Sequence, residues 1–292
     1  MNTIEIRVPA TIGNLGPGFD AFGIALDLYL TVRVGPHGQQ RVVPTGEGAD
    51  DLPSGEDNLL WRAFVSYCRR FDVDVPQVTL YAHNAIPLQR GMGSSSAAAV
   101  AGVGLGRALT QAGGRDRDLI DLAADLEGHP DNAGPAILGG LVVCHDRTVT
   151  RFEPTDRLRP TVCVSRTRQP TKSARSVLPE TIRLHEAAAN TARAAVVLAG
   201  LAGVMAFDPS GMRDVLHEPA RFEIMAASAG LIRTLRAAGI AACLSGAGPS
   251  VLAVTEARDR TALRVIHNAA GEEFDVRVAR WDRAGATVRR VA

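Results

Sequence analysis

Two glycines and three serines in the run PLQRGMGSSSAAA, Pro87 to Ala99, stand where an apolar strand-like stretch ends near Asn84 and an Ala-rich helical one begins. Gly91 and Gly93 lack a Cβ, so the backbone there can turn sharply and bring N–H groups against an anion. The helix that follows points its positive end at the same place. Ser94, Ser95 and Ser96 add hydroxyls able to cap that helix, donate to a phosphate or bind a divalent cation. Phosphate binding is the chemistry such a run suits. No lysine follows the second glycine as in a Walker A loop, and the third glycine and spaced acidic residue of a dinucleotide fingerprint are missing.

A glycine turn ahead of a capped, buried helix would look the same in isolation. Three further polar runs interrupt apolar neighbours: PATIGNLGPGFD (Pro9 to Asp20), EGHPDN (Glu127 to Asn132) and SGAGPS (Ser245 to Ser250). Each glycine-bearing run alone would be an ordinary turn. The four together point to one shared site.

The elements that must position them alternate between strand and helix. Strand patterns run over 4–8, 25–34, 40–44 and 78–84, with a helix over 58–71 whose Leu60, Phe64, Val65 and Cys68 share a face. Helices are expected over 94–111 and 116–127, backing a sheet, and strand character returns over 137–154. A second round follows: strand 161–166, helices 186–207, 209–216 and 224–238, strands 241–244 and 251–255, helix 257–270 and strand 275–279. This order predicts an α+β fold with a boundary near 155–160.

Composition narrows the function classes. The 292 residues are 46% hydrophobic and 22% charged, enough to bury a core in one large unit or two modest ones. With 32 basic and 31 acidic side chains there is no surplus field for nucleic acid or an anionic membrane, and 4% aromatics are too few for a base-stacking surface. No run of about twenty apolar residues predicts a membrane span, and MNTIEIRVPA alternates like a strand rather than a signal peptide. Cys68, Cys144, Cys163 and Cys243 lie in apolar stretches without zinc or dithiol spacing, as expected of a cytoplasmic chain.

The strings PATIGNLGPGFD, IPLQRGMGSSSAAAVAG, LEGHPDNAGPAILGGL, TKSARSVLP and SGAGPS, in order from Pro9 to Ser250, resemble the GHMP family of small-molecule kinases. The central cradle is common to the family; NLGPGFD and EGHPDN resemble its homoserine-phosphorylating branch. The resemblance implies ATP-dependent phosphorylation of the homoserine side-chain hydroxyl, a step toward threonine. It also implies Mg²⁺, a homodimer, and an N-terminal α+β domain, here 1–158, joined to a ferredoxin-like C-terminal domain, 159–292, with the active site between them. Other alcohols of the same family and a non-catalytic sensor are the competing readings.

Carried over position by position, the resemblance implies that Pro87, Leu88, Gln89, Arg90, Gly91, Met92, Gly93, Ser94, Ser95, Ser96 and Ala97 hold the triphosphate. Met92 stands where the family usually has Leu. Ser95 matches the metal-binding hydroxyl and Asp125 the family's carboxylate, with Glu127 as the alternative. On a helix these two point about 200° apart, so only one can face the cation. Arg175 and Arg221 match carboxylate-binding arginines, Asn14 and Asp20 other substrate contacts, Asp20 suiting the ammonium. Asn132 matches the residue nearest the reacting hydroxyl, flanked by His129 and Asp131. Asn132 cannot take a proton as a carboxylate would, so Asn132 and Arg175 are expected to act by positioning and charge rather than as a base. Of 32 basic residues one is a lysine, Lys172, three positions before Arg175; a compact ammonium at the site and survival of a compositional bias both account for it.

Overall fold

The computed structural model describes residues 3–146 and 148–291; the side chain of Lys172 lies outside the described residues. In chain order the elements are β1 (Thr3–Leu15), β2 (Gly18–Pro36), β3 (Val42–Gly46), α1 (Leu59–Arg70), β4 (Val78–Asn84), α2 (Ser94–Thr110), α3 (Asp116–Glu127), α4 (Ala133–Leu138), β5 (Leu141–His145) and β6 (Thr148–Phe152). There follow β7 (Leu158–Ser165), α5 (Thr171–Ser176), α6 (Leu184–Leu201), α7 (Glu218–Ile224), α8 (Ala226–Ala237), β8 (Ala241–Leu244), β9 (Val251–Glu256), α9 (Arg260–Ala270), β10 (Phe274–Val278) and β11 (Thr287–Val291). The fold is α+β, as expected.

β1 runs to Leu15, well beyond the short strand its alternation suggested. Ile6, Val8, Ala10, Ile12 and Leu15 are all fully buried, and Thr11 between them is buried as well. A strand covered on both faces loses the polar alternation by which it would be read. PATIGNL is therefore strand rather than connection, and β1 and β2 form a long antiparallel hairpin that turns at Gly16 and Pro17. The first sheet has the order β11-β1-β2-β4-β3, with β5 pairing β2 and β6 pairing β5. Its path ends with β11, whose Val291 to Thr287 pair Thr3 to Arg7, so the C-terminus returns to the N-terminal sheet.

The second sheet has the order β10-β7-β9-β8, all antiparallel. That is the strand order of a ferredoxin-like βαββαβ unit. Its period of two divides the core: Val162, Val164, Ala241, Cys243, Leu252 and Val254 join the first unit's cluster. Cys163, Ala242, Leu244, Val251 and Ala253 pack instead with Leu231, Ile232 and Leu235 of α8 and Ile266 of α9. Both faces are covered, which explains the continuous apolar runs here.

Two helical expectations shift. The helix expected over 209–216 is only a 3₁₀ turn, Pro209–Met212, because Asp208 caps Ser210 and the chain leaves helical geometry at Arg213. The helix expected over 224–238 is α8, and an unexpected short helix, α7, precedes it, divided from it at Met225, whose φ of −134° is not helical. TKSARS forms the short helix α5, and 137–154 holds the end of α4 before the β5–β6 hairpin.

Candidate functional site

The loop joining β4 to α2 is clamped by Asn84. Its amide donates to the Ile86 carbonyl at 2.9 Å, the Glu47 carbonyl at 3.1 Å and Ser94 Oγ at 3.3 Å, while Oδ1 accepts from the Ile86 N–H at 3.0 Å. Gly91 and Gly93 have φ of +71° and +68°, the left-handed region. A Cβ on Gly91 would fall on the Ser245 carbonyl oxygen, and one on Gly93 on Thr11 Oγ1. The two glycines thus satisfy both a backbone conformation and a close approach. Met92 is buried, and its carbonyl accepts from the Thr11 N–H at 3.1 Å.

The N-terminus of α2 carries no side-chain cap. The first N–H groups of this 17-residue helix therefore face the loop without a side-chain acceptor, the arrangement that binds phosphate. Arg90 reaches the other way, donating through Nε to the Ser165 carbonyl at 2.6 Å and through Nη2 to that of Arg166 at 3.3 Å. Ser245 Oγ donates to the Gly91 carbonyl at 2.8 Å. The SGAGPS run and the end of β7 thus hold the β4–α2 loop from the second sheet's side.

The carboxylate that meets the serines is Glu127. Its Oε1 accepts from Ser95 Oγ at 2.5 Å and its Oε2 from Ser96 Oγ at 3.0 Å. Asp125, the expected partner of Ser95, is exposed on another face of α3. It lines a cavity of about 400 Å³ with Asp121, Gly128, His129, Thr148 and Val149. The helix persists through residue 127, so the two-residue rotation carries Asp125 away as Glu127 turns inward. Ser95 and Glu127 supply hard oxygen donors of the kind Mg²⁺ takes, and a cation that keeps waters and phosphate oxygens needs few protein ligands. Among the described residues no group of three or more His, Cys, Asp or Glu side chains could hold a metal.

EGHPDN lies at the base of the hairpin. Asn132 Oδ1 accepts from Thr11 Oγ1 at 2.9 Å and the Gly13 N–H at 3.1 Å, and its Nδ2 donates to Asp131 Oδ1 at 3.3 Å. Asp131 is fully buried; Oδ2 accepts from the Asn14 N–H at 2.9 Å, and Oδ1 meets His129 Nδ1 at 2.7 Å. That hydrogen bond raises the His129 pKa against the opposing effect of burial. Asn14, with φ +48°, accepts from the Asp20 N–H at 2.9 Å, so its side chain shapes the hairpin end.

Asp20 and Arg175 meet in a two-point fork, with Nη2 to Oδ1 at 2.7 Å and Nη1 to Oδ2 at 3.0 Å. The carboxylate raises the Arg175 pKa. Arg221, 1% exposed, donates to the Ala174 and Gly246 carbonyls at 3.2 and 3.3 Å and contacts His217 Nδ1 at 3.0 Å. Burial, and then the neighbouring Arg175 charge, lower its pKa to about 10. Phe19 lies beside both cations, 5.6 Å from Arg175 and 5.7 Å from Arg221. Burial likewise lowers His217, to about 4.

The structure brings together Asn14, Asp20, His129, Asn132, Arg175 and the β4–α2 loop. Arg221 joins them through Gly246 of SGAGPS and Ala174 beside Arg175. Thr11, Phe19 and His217 were missed by the sequence reading. Thr11 and Phe19 lie within PATIGNLGPGFD and His217 opens HEPAR, but residue type alone did not mark them.

Comparison with known proteins places the chain in a family. The GHMP kinases N terminal domain matches residues 58–140 and the GHMP kinases C terminal domain residues 179–274. A homoserine kinase of Streptomyces coelicolor is 37% identical over 98% of this chain and 94% of its own length. One of Moorella thermoacetica is 37% identical over 87% and 88%. The crystal structure of homoserine kinase from Cytophaga hutchinsonii superposes with a TM-score of 0.85 at 26% identity, covering 99% of this chain and 98% of that one. Mevalonate kinase of Methanococcus jannaschii, 11% identical with a TM-score of 0.68 over 95% and 98%, shares the fold. The chain belongs to the GHMP kinase family, in the branch that its homoserine kinase relatives form.

Proposed function

We propose that the protein transfers the γ-phosphoryl group of ATP to the side-chain hydroxyl of L-homoserine, giving O-phospho-L-homoserine. The observation that carries this reading is the buried guanidinium of Arg221: among the described residues no carboxylate lies within ion-pairing distance of it. A buried charge is ordinarily paired. An unpaired one, beside a second arginine and an aspartate, suits a zwitterion that brings its own carboxylate and ammonium.

In this reading Arg175 holds the carboxylate by a planar fork and Arg221 through its free Nη2, and Asp20 accepts from the ammonium. The backbone N–H groups from Arg90 to Ser96, at the uncapped start of α2, hold the triphosphate; the Ala97 N–H already donates to the Gly93 carbonyl at 2.8 Å. Ser95 and Glu127 are the side chains that would hold Mg²⁺, which when bound neutralises charge on the phosphate oxygens. Asn132, fixed by Thr11, Gly13 and Asp131, orients the hydroxyl without removing its proton. Phosphoryl transfer through a loose transition state asks chiefly for positioning and charge stabilisation.

Residues 1–158 and 159–292 form the two units that flank the site in this reading, with β11 of the second stretch completing the first sheet. The same reading includes a cytoplasmic homodimer; four buried, unpaired cysteines suit a reducing compartment. No described helix is long and apolar enough to cross a membrane.

A substrate panel tests the assignment. With ATP and Mg²⁺, homoserine is expected to turn over, while 4-hydroxybutyrate, lacking the ammonium, and homoserine amide, lacking the carboxylate, each lose at least about a hundredfold in kcat/KM, the effect of roughly two tenfold steps in binding. Equal turnover of all three would remove the zwitterion clamp from the account.

A further inference from the structure

We propose that His217 is a positioning residue for the substrate carboxylate: as a neutral imidazole it accepts from Arg221 through Nδ1 and fixes the guanidinium without cancelling its charge. This rests on the reading of Arg221 as the carboxylate clamp.

Three acceptors hold Arg221: the Ala174 carbonyl on Nε, and the Gly246 carbonyl and His217 Nδ1 on Nη1. All three are neutral when His217 is unprotonated. They occupy part of the donor fork and leave its full charge for an incoming anion; among the described residues Nη2 forms no hydrogen bond. Two of the acceptors are backbone carbonyls that follow from the fold. His217 is the side-chain member, four residues before Arg221, so the two share a face of α7 and its N-cap.

The imidazole is itself fixed. It is fully buried, its ring centroid lies 5.5 Å from that of Phe19, and its backbone N–H donates to Asp214 Oδ1 at 2.6 Å. For Nδ1 to accept, the proton must sit on Nε2. Nε2 lies 3.6 Å from Asp214 Oδ1 and has no hydrogen-bond partner among the described residues. The Asp214 carboxylate thus stands behind the imidazole rather than against the guanidinium. Glu218, the buried acid that opens α7, is held by Arg236 through both oxygens at 2.8 Å. The neighbouring acids are therefore kept from Arg221, and a neutral acceptor takes the place a carboxylate would otherwise fill.

Three variants separate positioning from bulk. His217→Asn retains an acceptor oxygen near the place of Nδ1, His217→Leu fills the space without one, and His217→Asp sets a carboxylate on Arg221. The reading predicts that Leu and Asp raise the homoserine KM by about tenfold or more, while Asn stays within about threefold and the ATP KM within about twofold in all. A second readout does not depend on the folded fraction: the ratio of kcat/KM for homoserine to that for homoserine amide. It should fall about tenfold in the Leu and Asp variants and hold in Asn. Equal KM changes in Asn and Leu, or an unchanged ratio in Leu and Asp, would overturn the role of His217. Absence of homoserine turnover by the wild-type enzyme would instead overturn the functional reading on which it rests.

Discussion

Arg175 on α5 closes a bidentate fork on Asp20 of β2, at 2.7 and 3.0 Å, joining residues 155 positions apart across the mouth of the site. Each is the complement of one end of an amino acid. A zwitterion entering between them exchanges this pair for two equivalent ones, so its charges are matched at little net electrostatic cost. Side chains 34% and 41% exposed keep the pair from being a deep, costly burial.

Asp20→Asn keeps the size and an acceptor but loses the charge. We expect the homoserine KM to rise by about tenfold or more, the effect of roughly 1.4 kcal/mol, with the ATP KM nearly unchanged. Steady-state kinetics with each substrate varied in turn measures both. An equal rise in the two would mean that Asp20 supports the fold rather than the ammonium.

Glu127→Gln should lower kcat/KM by about a hundredfold, the scale on which one charge-stabilising contact is felt. Asp125→Asn, on the outer face of α3, should stay within about twofold. Titrating activity with Mg²⁺ separates the two further, because only the Glu127 variant should require more cation for half-maximal rate. The opposite ranking would return the cation to Asp125.

Asn132→Asp tests the absence of a base. Nδ2 stands 3.3 Å from Asp131 Oδ1, so the variant sets two carboxylates together in a buried place. That repulsion raises the proton affinity of the pair. Its folded-state pKa then lies above the unfolded value, so stability is kept at low pH and lost as pH rises through the raised value. We expect no gain in kcat and a melting temperature that falls with pH more steeply than in wild type. A faster enzyme with a new acidic limb in its pH–rate profile would show that a base helps.

Two histidines set opposite limbs of stability against pH. His217 has its folded pKa lowered to about 4 from 6.5, so the unfolded chain takes the proton first. Its contribution is complete above 6.5 and is lost as pH falls toward 4. His129, raised by Asp131, contributes fully below 6.5 and loses that contribution as pH rises through its raised value. Melting curves should therefore show a flatter acid limb in His217→Asn and a flatter limb on the alkaline side in His129→Gln. Parallel curves for wild type and both variants would contradict the assignment.

The turn between β4 and α2 was legible because it needs residue types that little else needs: Gly91 and Gly93 for positive φ, and serines at a helix start. The second sheet was legible from its short apolar runs, each bounded by turn residues. Asp125 against Glu127 was not, because the choice depends on how far α3 continues and how it rotates. β1 was cut short because both its faces are covered, so Thr11 and Gly13 looked like loop. β11 escaped notice for the opposite reason: TVRRV is largely exposed at a sheet edge, and only its pairing with Thr3 to Arg7 makes it a strand. His217 carries no motif of its own; its meaning lies in the acceptor it offers Arg221.

Transfer of phosphate from ATP to the homoserine hydroxyl is the reaction proposed for this site. Phosphorus NMR of the purified protein with ATP, Mg²⁺ and L-homoserine follows that transfer directly. The account predicts a new phosphomonoester resonance, coupled to the side-chain methylene protons, that grows in step with ADP and disappears when homoserine or Mg²⁺ is left out. ADP with inorganic phosphate and no phosphomonoester, or a phosphomonoester formed on mevalonate and not on homoserine, would contradict it.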